Sequence, residues 1–128
     1  MKLLLDTHTL LWMLADTRRL SDAASAAIRD LENQLYASIA SYWEIGIKVS
    51  LGKLELRDGW KDSVPQELSR NHVEWLPISV AHVNAVASLP WHHRDPFDRL
   101  LVAQALSDGL CLVSRDHEFG AYGVSVVW

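Results

Sequence analysis

Apolar residues along this chain fall into two kinds of run that take turns. Short, nearly unbroken runs occur at "KLLLD" (2–6), "QLYASIA" (34–40), "VEWLPI" (73–78), "LCLVS" (110–114) and "VSVVW" (124–128). Between them lie segments whose apolar positions recur every three or four residues. These are "TLLWMLA" (9–15), a stretch from Ser21 to about Glu32 with Ala24, Ala27, Ile28 and Leu31 on one face, Ser41 to Gly52, 59–72, "VAHVNAVASL" behind Ser79, and "DRLLVAQAL" behind Asp95 and Pro96. The unbroken runs predict strands covered on both faces, and the periodic segments predict helices. Their alternation predicts a three-layer α/β/α sandwich around a central parallel sheet, built as one domain from residues 1–128.

In such sheets ligands bind beyond the carboxyl ends of the strands. Four acids fall at or near those ends. Asp6 directly follows Leu3, Leu4 and Leu5, and Asp116 follows "LCLVS" with Ser114 and Arg115 between. Glu44 and Asp98 fall in first helical turns. Each has a purely structural alternative. Asp6 and Asp116 suit turns or caps, and Ser41 to Glu44 spells S-x-x-E, a capping box. Asp95 is the natural N-cap ahead of Pro96 and is thereby explained. Asp98, however, shares a face with Leu101, Val102 and Ala105, so it points toward the sheet.

Carboxylates gathered at one sheet edge repel one another and raise each other's pKa values. A helix N-terminus offsets about 0.3–1 kcal/mol of this, and a divalent cation far more. Ligands that are all oxygen select a hard ion, Mg²⁺ or Mn²⁺. The chemistry such a centre suits is hydrolysis of a phosphodiester.

The stretches "LLLDTHTLLWML", "ASIASYWEIGIKVSLGKL", "HRDPFDRLLVAQAL" and "LVSRDHEF" resemble, in order and spacing, the motifs of PIN-domain ribonucleases, specifically the VapC-type toxins of toxin–antitoxin systems. The resemblance runs nearly end to end and is weakest over 55–75. It implies Asp6, Glu44, Asp98 and Asp116 as the acids that hold the metal and carry catalysis, with Ser114 orienting a water. It implies Mg²⁺ or Mn²⁺ as cofactor, RNA as substrate, a homodimer, and a small VapB-type antitoxin whose C-terminal segment blocks the acidic cleft. His8 stands where many relatives have Ser.

Composition changes this picture little. Of 128 residues 49% are hydrophobic and 22% charged, with a formal net charge of −4, so the chain is not a basic coat for nucleic acid. A lone cysteine, Cys111, suits a reducing cytoplasm. Asp6 and His8 interrupt the leucines of the N-terminus, which argues against a secretory signal, and no run is long enough to span a bilayer.

His92 and His93 raise the possibility of zinc, but neighbouring histidines rarely share one ion, and "PWHHR" reads as a solvated loop in which Trp91, His92 or Arg94 touches RNA. Arg99 and Arg115 are candidates first for ion pairs and second for phosphate contact. Of the six tryptophans, Trp12 and Trp43 suit core or interface positions, and Trp128 suits the sheet edge. Two rival readings are a phosphatase of the haloacid-dehalogenase type, which wants an acid where His8 stands, and a PIN-like binding module without catalysis.

Overall fold

A computed structural model describes all 128 residues. Five strands, β1 (Lys2–Leu5), β2 (Gln34–Ser38), β3 (Val73–Leu76), β4 (Cys111–Val113) and β5 (Val126–Val127), form one sheet in the order β3-β2-β1-β4-β5, every neighbouring pair parallel. Parallel neighbours need crossovers, which here carry six helices: α1 (Thr7–Ala15), α2 (Asp22–Arg29), α3 (Ile39–Ser50), α4 (Trp60–Arg70), α5 (Val80–Ala87) and α6 (Pro96–Asp108). Short 3₁₀ turns occupy Thr17–Arg19 and His117–Tyr122. The expected α/β/α sandwich is what forms.

β1 is the central strand, with Leu3 opposite Leu35 on one side and Cys111 on the other. Helices cover both of its faces, which is why its sequence is an unbroken leucine run rather than an alternation. Leu3 and Leu5 pack with Leu10 of α1, Ala24 of α2, Ile45 of α3 and Leu68 of α4. Leu4 points the other way, into Leu101, Val102 and Ala105 of α6 with Phe119 and Tyr122. The chain steps outward from β1 to β2 to β3, then returns to lay β4 on the opposite side of β1. That reversal opens a crevice between the carboxyl ends of β1 and β4, the position where open parallel sheets bind ligands.

Several boundaries differ from the sequence expectation for identifiable reasons. The second strand stops at Ser38, not residue 40, because the Ser38 hydroxyl accepts from Ala40 N at 3.0 Å and thereby caps α3. The same hydroxyl donates to Gln104 Oε1 at 2.6 Å, a partner on α6 that no local pattern reveals. Ser41 is therefore inside the helix, and the capping box with Glu44 does not form. The third strand ends at Leu76 because Pro77 has no N–H for the ladder. α2 ends at Arg29, leaving Leu31 in a turn and 92% exposed. Ser79 caps α5 as expected, accepting from His82 N at 3.2 Å. Gly109 ends α6 in the left-handed region, φ +67°, where a side chain would be strained.

Candidate metal centre and active site

Asp6 leaves β1 directly into the crevice. It is buried, and its Oδ1 accepts from Thr9 N at 2.8 Å, so it caps α1. Its Oδ2 accepts from the Ser114 hydroxyl at 2.5 Å, across from the end of β4. Ser114 is fully buried and also accepts from Asp116 N at 3.0 Å. Ser114 thus gives its proton to Asp6 and ties the two acidic strand ends together.

Asp116 follows on the loop beyond β4 and caps the 3₁₀ turn through Glu118 N at 2.9 Å. Asp6 and Asp116, with His8, Trp12 and Arg115, line one open cleft of about 370 Å³. Larger cavities exist elsewhere, one by Met1 and Gly109 and one between α1, α3 and α4, but neither contains these acids.

Glu44 is buried in α3. Its Oε1 accepts from the Thr7 hydroxyl at 2.7 Å, and Oε2 pairs with Lys48 at 3.0 Å, one helical turn on. Ser41, displaced from its expected cap, lies 3.0 Å from the same Thr7 hydroxyl. Thr7 therefore couples the start of α1 to the acid of α3. Neither Thr7 nor Lys48 stood out in the sequence, although the Glu44–Lys48 spacing was a readable signal.

Asp98 is the unusual member. Asp95 occupies the N-cap as expected, accepting from Phe97 N at 2.8 Å and Asp98 N at 3.2 Å. The Asp98 carboxylate itself has no hydrogen-bond or ion-pair partner. Burial pushes its pKa up to about 7, and the charges of Asp95, Glu44 and Asp6 add to this while His93 partly offsets them. A half-buried acid whose neighbours are other acids ionises more readily when a cation joins it. The carboxylates of Asp6, Asp98, Asp116 and Glu44 offer only oxygen, a chemistry that suits Mg²⁺ or Mn²⁺ rather than a softer ion, while the three potential ligands that lie within 4.8 Å of one another are His93, Asp116 and Glu118.

The basic residues sort differently from expectation. Arg99 is only 3% exposed and makes neither an ion pair nor a surface for phosphate. Its guanidinium donates to the carbonyls of Pro90, Val86 and Leu89 at 2.8, 3.2 and 3.3 Å and stacks 3.7 Å from the Trp91 ring. It closes the end of α5 and the start of the loop beyond it. Arg99→Ala removes the donor to the Pro90 and Leu89 carbonyls, while Val86 O keeps the Leu89 amide, so urea denaturation should show a loss of about 2–3 kcal/mol. Arg94 and Arg115 are exposed, Arg115 on the cleft wall.

Trp43 is not a core residue: it is 59% exposed, edge-on to Phe97. Trp12 is half-buried between His8 and Trp128, each at 5.7 Å, and Trp128 follows the edge strand as expected. His93, expected in a solvated loop, is instead packed against Phe119 and bonded to Asp116 at 2.7 Å.

Residues 3–124 match the PIN domain family, and the chain belongs to that family. It is 30% identical over 125 residues to Ribonuclease VapC22 of Mycobacterium tuberculosis, covering 93% of this chain and 90% of that protein. Among solved structures it resembles VapBC2 from Rickettsia felis bound to a DNA fragment from their promoter, with a TM-score of 0.71 at 13% identity over 98% of this chain and 97% of that one. VapBC-1 from nontypeable Haemophilus influenzae gives a TM-score of 0.73 at 15% identity, over 98% and 96% of the respective chains. FitAcB from Neisseria gonorrhoeae gives 0.62 at 21%, over 97% and 95%. At such identities the structural likenesses speak to the fold.

Proposed function

We propose that this protein is a Mg²⁺- or Mn²⁺-dependent endoribonuclease of the VapC type, held in check by a small antitoxin protein. The observations that support the reading are that Asp6 and Asp116 line one cleft, and that Asp98, left without a protein partner, lies near enough to Glu44 and Asp6 for their charges to raise its pKa. The ribonuclease name of the 30% identical relative supports the substrate class.

Asp6, Asp98 and Asp116 would hold the ion, with Glu44 beside them paired to Lys48. The bound ion supplies Lewis acidity, easing attack by water and offsetting the charge that builds on phosphate oxygens. The chain's own residues fix the geometry. Ser114 and Thr9 N hold Asp6 from two sides, and Thr7 holds Glu44. Arg115 offers a guanidinium to a phosphate on the cleft wall, with Arg94 as a second such contact from the loop before α6. The tilted pair of His8 and Trp12 offers aromatic surface to an unstacked base.

An apolar groove of about 430 Å³ between α1, α3 and α4, lined by Leu11, Leu14, Ile45, Leu56, Trp60 and Val64 among others, suits an amphipathic segment of an antitoxin. The VapBC complexes among the structural neighbours favour such a partner. Exposed Val80 and Val83 on α5, with Trp43 on α3, favour a second copy of this chain as a further partner. No helix is long and apolar enough to cross a membrane.

The purified protein should cleave single-stranded RNA with Mn²⁺ and stop on addition of a chelator. Cleavage indifferent to chelation would contradict the reading. Turnover of a phosphomonoester in place of RNA would favour the phosphatase, which wants an acid where His8 stands.

A further inference from the structure

The loop joining α5 to α6 brings His93 across the end of the sheet onto the 3₁₀ turn that Asp116 begins. The His93 side chain is only 8% exposed, while that of Asp116 is 39% exposed. The imidazole stacks on Phe119, with ring centroids 4.8 Å apart and planes 16° from parallel, and lies beside Tyr122 at 5.5 Å and 25°. Phe119 and Tyr122 are both in the core beneath Leu4. The ring is therefore clamped by residues that are themselves held by packing.

The polar contacts fix its direction as well. The Tyr122 hydroxyl accepts from the His93 backbone N at 2.7 Å and lies 3.1 Å from His93 Nδ1. A carboxylate can only accept, so the ring N–H is on the nitrogen facing Asp116, and Nδ1 takes the hydrogen that the Tyr122 hydroxyl keeps. Nδ1 is then an acceptor, and the ring proton is on Nε2, which donates to Asp116 Oδ2 at 2.7 Å. The other Asp116 oxygen accepts from Glu118 N at 2.9 Å. Each carboxylate oxygen thus has one protein donor and one side still free.

We propose that His93 is a positioning residue which, itself oriented by Tyr122, holds the Asp116 carboxylate in the attitude that the divalent cation requires. The proposal rests on the cation reading of the acidic cleft. Asp116 stands on a loop with a considerable part of its side chain in solvent, so without His93 only the Glu118 amide would restrain it. Partners that orient a ligating carboxylate typically contribute 10–100-fold in metal affinity when removed.

His93 could instead be a ligand, because one atom each of His93, Asp116 and Glu118 lie within 4.8 Å of one another. The geometry favours positioning, since Nδ1 is occupied by the tyrosine, Nε2 by the carboxylate, and the ring is stacked in place.

The test is Mn²⁺ binding, followed by electron paramagnetic resonance, in the intact wild-type protein and in His93→Ala, His93→Gln and Tyr122→Phe. Circular dichroism on each variant reports folding. His93→Ala should bind Mn²⁺ roughly 10–100-fold more weakly. His93→Gln, whose amide N–H replaces Nε2–H, should recover most of that loss, and Tyr122→Phe should fall between wild type and His93→Ala. The spectrum of wild-type bound Mn²⁺ should show no coupling to an imidazole nitrogen.

Three results would overturn the proposal: unchanged affinity in folded His93→Ala, no recovery in folded His93→Gln, or a nitrogen coupling that makes His93 a ligand. Failure of the wild-type protein itself to bind Mn²⁺ would instead remove the cation reading, and the proposal with it.

Discussion

Replacing Asp98 by Asn is expected to cut RNA cleavage by on the order of a thousandfold and, in the metal-free protein at pH 8, to raise the melting temperature. The first effect follows from losing a ligand in a site where Lewis acidity is worth several kcal/mol, each ~1.4 kcal/mol being a factor of ten. The second follows from the surroundings of Asp98, where burial and the charges of Asp95, Glu44 and Asp6 oppose its ionisation. An amide of the same shape has no charge to desolvate. Solvent reaches part of the group, so the gain is discounted to about 1–2 kcal/mol, roughly 3–8 °C for a domain of this size. Activity and stability moving in opposite directions is the signature of a residue kept for its chemistry. An Asp98→Asn protein that is less stable than wild type would mark the acid as structural support.

The second large effect is the pH dependence of metal binding. With its pKa pushed up to about 7, Asp98 holds a proton in the metal-free protein through most of the acidic range. A cation must displace that proton, so Mn²⁺ affinity should rise about tenfold per pH unit below 7 and level off above it. The stability of the metal-free protein should run the other way. A carboxyl whose folded pKa lies above its unfolded value of about 3.9 contributes stability that is complete below that value and is lost as pH rises through about 7. Saturating Mn²⁺ should reverse the trend, adding about 2.7 kcal/mol when the ion is at 100 times its Kd. Calorimetric titrations and thermal melts at pH 6, 7 and 8 check both signs. Metal affinity that does not vary with pH would contradict the placement of Asp98 in the site.

The layers of the fold were legible because the leucine runs and the 3.6-residue periods each identify their element without help from distant residues. The strand-end acids were legible for a related reason: in an all-parallel sheet, position in the chain already says which edge a residue reaches. What the sequence hid was set by partners far away. Ser38 outcompetes Ser41 as the cap of α3 because Gln104, 66 residues on, also binds it. Arg99 sits next to an acid in sequence, yet its guanidinium turns back to the carbonyls that end α5. His93 read as half of a solvated pair, since Asp116 and Tyr122 stand 23 and 29 residues downstream with no periodicity to announce them.

Crystals grown with Mn²⁺ and measured at a wavelength where manganese scatters anomalously would locate the ion itself. Anomalous density is expected among the carboxylates of Asp6, Asp98 and Asp116, beyond the carboxyl ends of β1 and β4. A peak displaced to His93 and Glu118, or no peak at a concentration of Mn²⁺ that supports cleavage, would contradict that placement.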